Sequence, residues 1–225
     1  MCGDPDFAHL PGWRCRGRGW TTRKGKVMQT VTTIEELEAL YGVPVPASLT
    51  KVTVKMTPLY RQWIEASRFV VLSTVGDEGT DGSPRGDDGP VVRIVDDQTM
   101  HLPDWRGNNR IDTLRNIVRD GRISLMFMVP GNNNVVRING SAVLTADGDV
   151  VAGFEKNGKR PASVIVVSIG EMYFQCAKAV MRADLWSDDA PEVPTAGQFI
   201  REMKTDFDAE GDDSGYLEYA KGRMW

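Results

Sequence analysis

Histidine is almost missing from this chain, with His9 and His101 the only two imidazoles in 225 residues. His9 lies near one end, so a Ser-His-Asp triad or a His-rich metal site has a single ring to build on. Cysteine is equally sparse. Cys2, Cys15 and Cys176 are odd in number and have no metal-ligand spacing, which argues against a disulfide framework or a structural zinc and fits a reducing, cytoplasmic setting. No apolar run approaches the roughly 20 residues that span a bilayer. No apolar segment of about 7–15 residues marks a secretory signal. No Gly-x-Gly-x-x-Gly follows a strand pattern, and Gly-x-x-x-x-Gly-Lys-Ser/Thr does not occur, so two familiar phosphate loops are excluded. A basic excess is absent too. The formal charge is −4 and the pI about 5.3, against a nucleic-acid surface as the main function.

What is present suffices for a folded core: 41% hydrophobic residues beside 26% charged ones. Residues 1–27 differ from the rest. Gly3, Gly12, Gly17, Gly19 and Gly25 break up the segment. Arg14, Arg16, Arg18, Arg23, Lys24 and Lys26 face only Asp4 and Asp6 as counter-charges. This composition reads as a disordered basic extension, and Met28 reads like a natural protein start. A single domain is expected over 28–225, ending in a helical segment.

Thr33-Ile-Glu-Glu36 has capping-box form and opens a helix through Leu37, Leu40 and Tyr41, which Gly42 stops. Thr57-Pro58 starts another, with Leu59, Trp63 and Ile64 on its apolar face. Strand patterns follow at Phe69–Val75, Val91–Val95, Thr99–Leu102, Arg122–Val129, Val135–Thr145, Ser163–Ile169 and Met172–Gln175, with Gly170 as a bulge. Gly76–Gly82 and Ser83–Pro90 read as irregular, Asp147-Gly148 as a turn, and Asp206–Asp213 as mobile. Ala177–Trp186 and Thr195–Lys204 read as helices. Six or seven closely spaced strands with one helix inserted point to a mainly β fold with peripheral helices, a small closed or split barrel. Strict βαβ alternation is absent, which argues against a Rossmann sheet.

The inserted helix carries the strongest chemical signal. Asp104–Asn108 is turn chemistry, Asn109 is an expected N-cap with Asp112 reaching back to it, and Ile111, Leu114, Ile117 and Val118 give an apolar face. A helix start flanked by Arg106 and Arg110 suits an anion, a phosphate above all.

Taken in order, Phe69–Thr74, Ser83-Pro-Arg-Gly-Asp87, Leu102-Pro-Asp through Asn109-Arg-Ile-Asp-Thr-Leu-Arg-Asn-Ile117, Arg137-Ile-Asn-Gly140 and Cys176–Arg182 with Leu185-Trp186 resemble the pyridoxamine 5'-phosphate oxidase-like flavoproteins. Within that group they are most similar to a bacterial subfamily of FMN-dependent proteins with no assigned substrate. The resemblance spans roughly residues 29–205. It implies a homodimeric FMN-binding split barrel, with the flavin at the subunit interface and two-electron transfer at flavin N5 to or from a small molecule. It puts Ser83, Pro84, Arg85 and Gly86 on the strand that runs along the flavin. It makes Leu102 and Pro103 a wall for the ring or ribityl chain, and sets Arg106, Asn108, Asn109, Arg110 and Thr113 around the phosphate. The oxidases carry a Ser-Arg-Lys-like set at this helix, whereas this chain has Asn-Asn-Arg and a slightly longer loop. The C-terminal substrate-binding residues of the oxidases have no clear counterpart here, Arg182 and Trp186 being no more than candidates, which puts pyridoxamine phosphate as substrate in question.

Each residue has a plainer reading. Arg110 could be a surface partner on its helix, Arg85 a solvated loop charge, Gly86 a turn glycine and Leu102 core. Trp105 could cover a flavin or fill a dimer interface. His101 reads as structural and Cys176 as a small packed residue. Two alternatives to an FMN enzyme remain: a flavin-binding or sensing protein without turnover, and a haem- or deazaflavin-handling split barrel. Neither nucleic acid nor membrane is expected as a partner.

Overall fold

The computed structural model describes residues 13–16, 19–22, 27–77 and 79–225, which fall into two units, Met1–Thr50 and Lys51–Trp225. The division falls at Thr50, later than the boundary at 27 read from composition. In the first unit, β1 (Trp13–Arg16), β2 (Gly19–Thr22) and β3 (Val27–Met28) form an antiparallel meander, followed by α1 (Ile34–Tyr41) and α2 (Pro46–Thr50). Strands thus run through a segment expected to be an irregular tail; its residues 1–12, 17–18 and 23–26 lie outside the described residues. The start of α1 follows its sequence signature. The Thr33 hydroxyl accepts from the Glu36 N–H at 3.2 Å, and the Glu36 carboxylate accepts from the Thr32 N–H at 2.8 Å.

The second unit opens with α3 (Pro58–Ala66), capped by Thr57 with Pro58 in its first turn. Its strands are β4 (Phe69–Gly76), β5 (Gly79–Gly86), β6 (Arg93–Ile94), β7 (Thr99–Asp104), β8 (Arg122–Met128), β9 (Val135–Thr145) and β10 (Ser163–Gln175). The helix α4 (Asp112–Arg119) lies between β7 and β8, and α5 (Gly148–Ala152) between β9 and β10. After β10 come α6 (Lys178–Ala183), α7 (Ala196–Met203) and α8 (Ala209–Lys221). The seven strands pair antiparallel in the order β5-β4-β8-β9-β10-β7-β6. Among the described residues no ladder joins the outer strands, so the sheet curls without closing: a split barrel.

The β-branched strands alternate as their sequence requires. Val70 and Leu72 of β4, Leu125 and Phe127 of β8, Val136 and Ile138 of β9, and Val167 and Met172 of β10 point inward, with Ile64 of α3 and Ile117 of α4 in the same cluster. The bulge forms in β10, where the register shifts between Ile169 and Glu171. Opposite it, a Cβ on Gly140 would lie 2.1 Å from the Ser168 carbonyl oxygen, so only glycine fits there.

Four expectations are corrected. Ser83–Gly86 is not irregular but the end of β5, an edge strand on which exposed Pro84 costs no ladder bond to a further neighbour. The Val91–Val95 strand shrinks to Arg93–Ile94, because Val91 instead donates its N–H to the Ser67 carbonyl at 2.9 Å. Asp147 caps a short helix rather than a turn. The acidic Asp206–Asp213 stretch enters α8, held by Asp208 accepting from the Gly211 N–H at 3.1 Å and Asp213 accepting from the Gly197 N–H at 3.0 Å.

Candidate functional site

Strand β5 presents Asp81, Ser83 and Arg85 on its half-buried face, and Asp87 continues the row just past the strand end. Three of these four meet a different element of the opposite side of the barrel. Asp81 accepts from the Thr113 hydroxyl in the first turn of α4. Arg85 pairs through Nη1 with Asp104 at the end of β7, both side chains mostly buried at 19% and 16% exposure. Asp87 accepts from Trp105 Nε1 at 3.1 Å and from the Lys156 ammonium. A polar seam therefore ties the outer strand β5 to the end of β7 and to α4.

The seam holds an unmet donor. Arg85 Nε is buried with no hydrogen-bond partner, although burying a polar N–H this way costs about 1–3 kcal/mol. Further along β5, where Asp81 meets Thr113, α4 begins without a side-chain cap, its N-cap residue being Ile111. The expected Asn109 cap is thereby corrected. The Asn108 side chain accepts from the Arg110 N–H at 3.0 Å, and Asn109 takes a left-handed φ of 62°. The helix start is thus displaced two residues along the chain.

The expected phosphate residues are only partly brought together. Thr113 is buried at the seam, while Arg106, Asn108, Asn109 and Arg110 are exposed on the loop before α4. Arg110 Nε donates to Asp112 Oδ2 at 2.6 Å; that hydrogen bond and the carboxylate's charge, aided by Asp81, raise the Arg110 pKa further above its usual value. Leu102 is 1% exposed and pairs with Ile165, which makes it a core residue. Pro103 is also buried but lines a neighbouring cavity of about 640 Å³.

That cavity was not legible beforehand. Trp105, Phe154, Pro90, Pro103, Arg93 and Lys156 are among its walls. Burial acts to lower the Lys156 pKa, but hydrogen bonds to Asp87 and Asp88 outweigh it and the net shift is upward. The Lys156 ammonium also lies 4.2 Å from the ring centroid of Trp225, which packs edge-on against Trp105 at 5.3 Å. The signal the sequence offers is the Asp87-Asp88 pair, two adjacent carboxylates that one cation can hold together. Nothing local marks Lys156, 69 positions away from Asp87, as that cation. His101 sits beside Arg93 across the β6–β7 pair. Burial first and the Arg93 charge second lower its pKa, with Asp96 opposing. Arg182 and Trp186 lie at and just beyond the end of α6, where Trp186 Nε1 donates to the Asn132 carbonyl at 2.9 Å. Among the described residues no cluster of His, Cys, Asp and Glu could hold a metal ion.

The family profile described as Pyridoxamine 5'-phosphate oxidase matches residues 56–176, more than half of the chain, from before α3 to the end of β10. The chain belongs to the pyridoxamine 5'-phosphate oxidase family. No curated protein matches it. Similar solved structures include HupZ from Group A Streptococcus, at 19% identity and TM-score 0.42, covering 51% of this chain and 89% of that one. They also include a putative pyridoxamine 5'-phosphate oxidase from Lactobacillus delbrueckii, at 18% identity and TM-score 0.44, covering 54% of this chain and 95% of that one. General stress protein 26 from Bacillus anthracis is a third, at 16% identity and TM-score 0.38, covering 51% and 88%. The family match encloses the whole polar seam of β5, β7 and α4. No helix among the described residues is long and apolar enough to cross a membrane.

Proposed function

We propose that this family member binds FMN along the seam and acts as an FMN-dependent oxidoreductase on a small molecule. The observation that carries the site is the buried, unpartnered Nε of Arg85, a fixed donor awaiting an acceptor on the strand that the family resemblance assigns to the flavin. The donor set suits the group. Uncapped N–H groups in the first turn of α4 and the Thr113 hydroxyl can meet phosphate oxygens, with the helix dipole favouring negative charge there. Arg110 is the adjacent cation and must leave Asp112 to bind, while Thr113 must turn from Asp81.

When bound, FMN supplies the two-electron redox chemistry at N5, so the protein need not provide a nucleophile or a metal. What this chain contributes is position. Ser83, Pro84 and Gly86 line an edge strand with no further ladder partner, leaving its backbone free to approach a flat ring. Arg85, tied to Asp104, holds one donor in place, and Pro103 with Trp105 gives the adjoining cavity apolar walls. Homodimerisation and a cytoplasmic setting belong to the same proposal. Native mass spectrometry tests the dimer.

The purified protein tests the main reading. A yellow preparation that releases FMN on denaturation, or a colourless one that takes up added FMN, supports it. Arg110→Ala then weakens uptake, and unchanged affinity moves the clamp elsewhere. Bleaching of the bound flavin by NADH or NADPH, with recovery on adding an acceptor, separates an enzyme from a flavin carrier.

A further inference from the structure

We infer that the cavity of about 640 Å³ bounded by Arg93, Phe154, Trp105, Pro90 and Pro103 is a binding site for a planar aromatic molecule bearing a carboxylate or similar anion, with Arg93 as the anion's partner. Its volume lies in the range of about 300–1,000 Å³ that small-molecule sites occupy. Two flat aromatic side chains and two prolines give it rigid, apolar faces, and Val92 and Ile94 add to them. Such surfaces favour a ring over a flexible chain, since the ring loses little freedom on docking.

The charges of the cavity decide the sign of the ligand. Three carboxylates line it, and each already has a cation: Asp87 has Lys156, Glu155 has Arg160 and Glu65 has Arg61. Lys156 is likewise committed, to Asp87 and Asp88. Arg93 is the exception. It donates to the Gly153 carbonyl and lies 4.1 Å from the Phe154 ring centroid, but among the described residues it forms no ion pair. A guanidinium stacked on an aromatic ring keeps N–H edges for a planar anion, and the same ring offers a surface to the ligand's own ring. His101, paired with Arg93 across β6 and β7, reports on occupancy: burial and, second to it, the Arg93 charge lower its pKa, and an anion at Arg93 offsets the second of these.

The inference stands on the cavity alone and does not require a flavin, so the test uses the full chain without FMN. Tryptophan fluorescence is titrated with 2-naphthoate and, separately, with the uncharged 2-naphthalenemethanol. The expected result is saturable naphthoate binding at least tenfold tighter than the alcohol, with Arg93→Met removing that preference. The imidazole NMR titration of His101 shifts to higher pH when naphthoate is bound. Equal affinities for the two probes, no binding of either, a preference that survives Arg93→Met, or an unmoved His101 titration would each overturn the assignment. Because the preference is read in the unaltered protein, a variant that fails to fold does not remove the test. Loss of naphthoate binding with FMN uptake intact would refute this site and leave the flavin reading standing.

Discussion

Replacing Arg85 with Met removes one half of the Arg85–Asp104 pair while keeping most of the apolar stem. Breaking a buried ion pair costs about 3–5 kcal/mol, because the remaining charge is stranded. With side chains 19% and 16% exposed, some water still reaches this pair, which places it near the lower end. Removing the unpartnered Nε returns about 1 kcal/mol, so the net loss is about 2 kcal/mol. For a unit the size of Lys51–Trp225 that corresponds to a melting temperature lowered by about 4–8 °C. Thermal melts by circular dichroism measure it, and a double-mutant cycle with Asp104→Asn isolates the pair from lost packing. Saturating FMN widens the gap between the original protein and Arg85→Met, since only the original can give Nε its acceptor. A variant melting within about 1 °C of the original, or a strictly additive cycle, would refute the claim that this pair ties β5 to β7.

Three further outcomes follow from the packing and the charges. Phe127, fully buried between β4 and β9, leaves a cavity on conversion to Ala and costs about 3–5 kcal/mol, read by urea unfolding; a change below about 1 kcal/mol would contradict its place in the core. Gly140→Ala forces a Cβ into the Ser168 carbonyl at the bulge, so β9 and β10 must separate locally; hydrogen exchange at Ser168–Glu171 rises, and unaltered protection would count against the register described here. His101 has a folded-state pKa below its usual value, so below the ordinary histidine range the unfolded chain binds more protons than the native one. Stability therefore falls as pH drops through about 6.5, and His101→Gln flattens that slope; an unchanged slope would assign it to other groups.

Much of this sheet is legible because its inner strands are written in β-branched and aromatic residues. Phe69–Val75, Arg122–Val129 and Val135–Thr145 coincide with β4, β8 and β9 to within a residue, and Gly170 does mark the bulge of β10. The edges are harder. Gly79–Gly86 has no strand former apart from Thr80 and contains a proline, so its pairing depends on β4, supplied by tertiary structure. α8 carries two internal glycines and three aspartates or glutamates ahead of its aromatic residues, a poor helix by propensity. It forms where Asp213 can hold the start of α7. At the candidate site, the motif order singles out Arg85 and Thr113, but their partners Asp104 and Asp81 are not legible, because neither carboxylate has a local signature. The α4 cap differs from the expected Asn109 for a definable reason. Asn108 and Asn109 are both good caps, and the choice was made by Asn108 closing a turn on Arg110. Lys156 and Trp225 could not be paired with Asp87 and Trp105 before the chain was folded.

The central claim is that the seam of β5, β7 and α4 holds FMN through its phosphate. Parallel calorimetric titrations of the full chain with FMN and with riboflavin test it most directly, since the two differ only in that phosphate. The expected result is saturable FMN binding and riboflavin binding weaker by about 100-fold, the scale of a charge-assisted phosphate clamp of about 2–3 kcal/mol. No FMN uptake, or riboflavin binding as tightly as FMN, would contradict it.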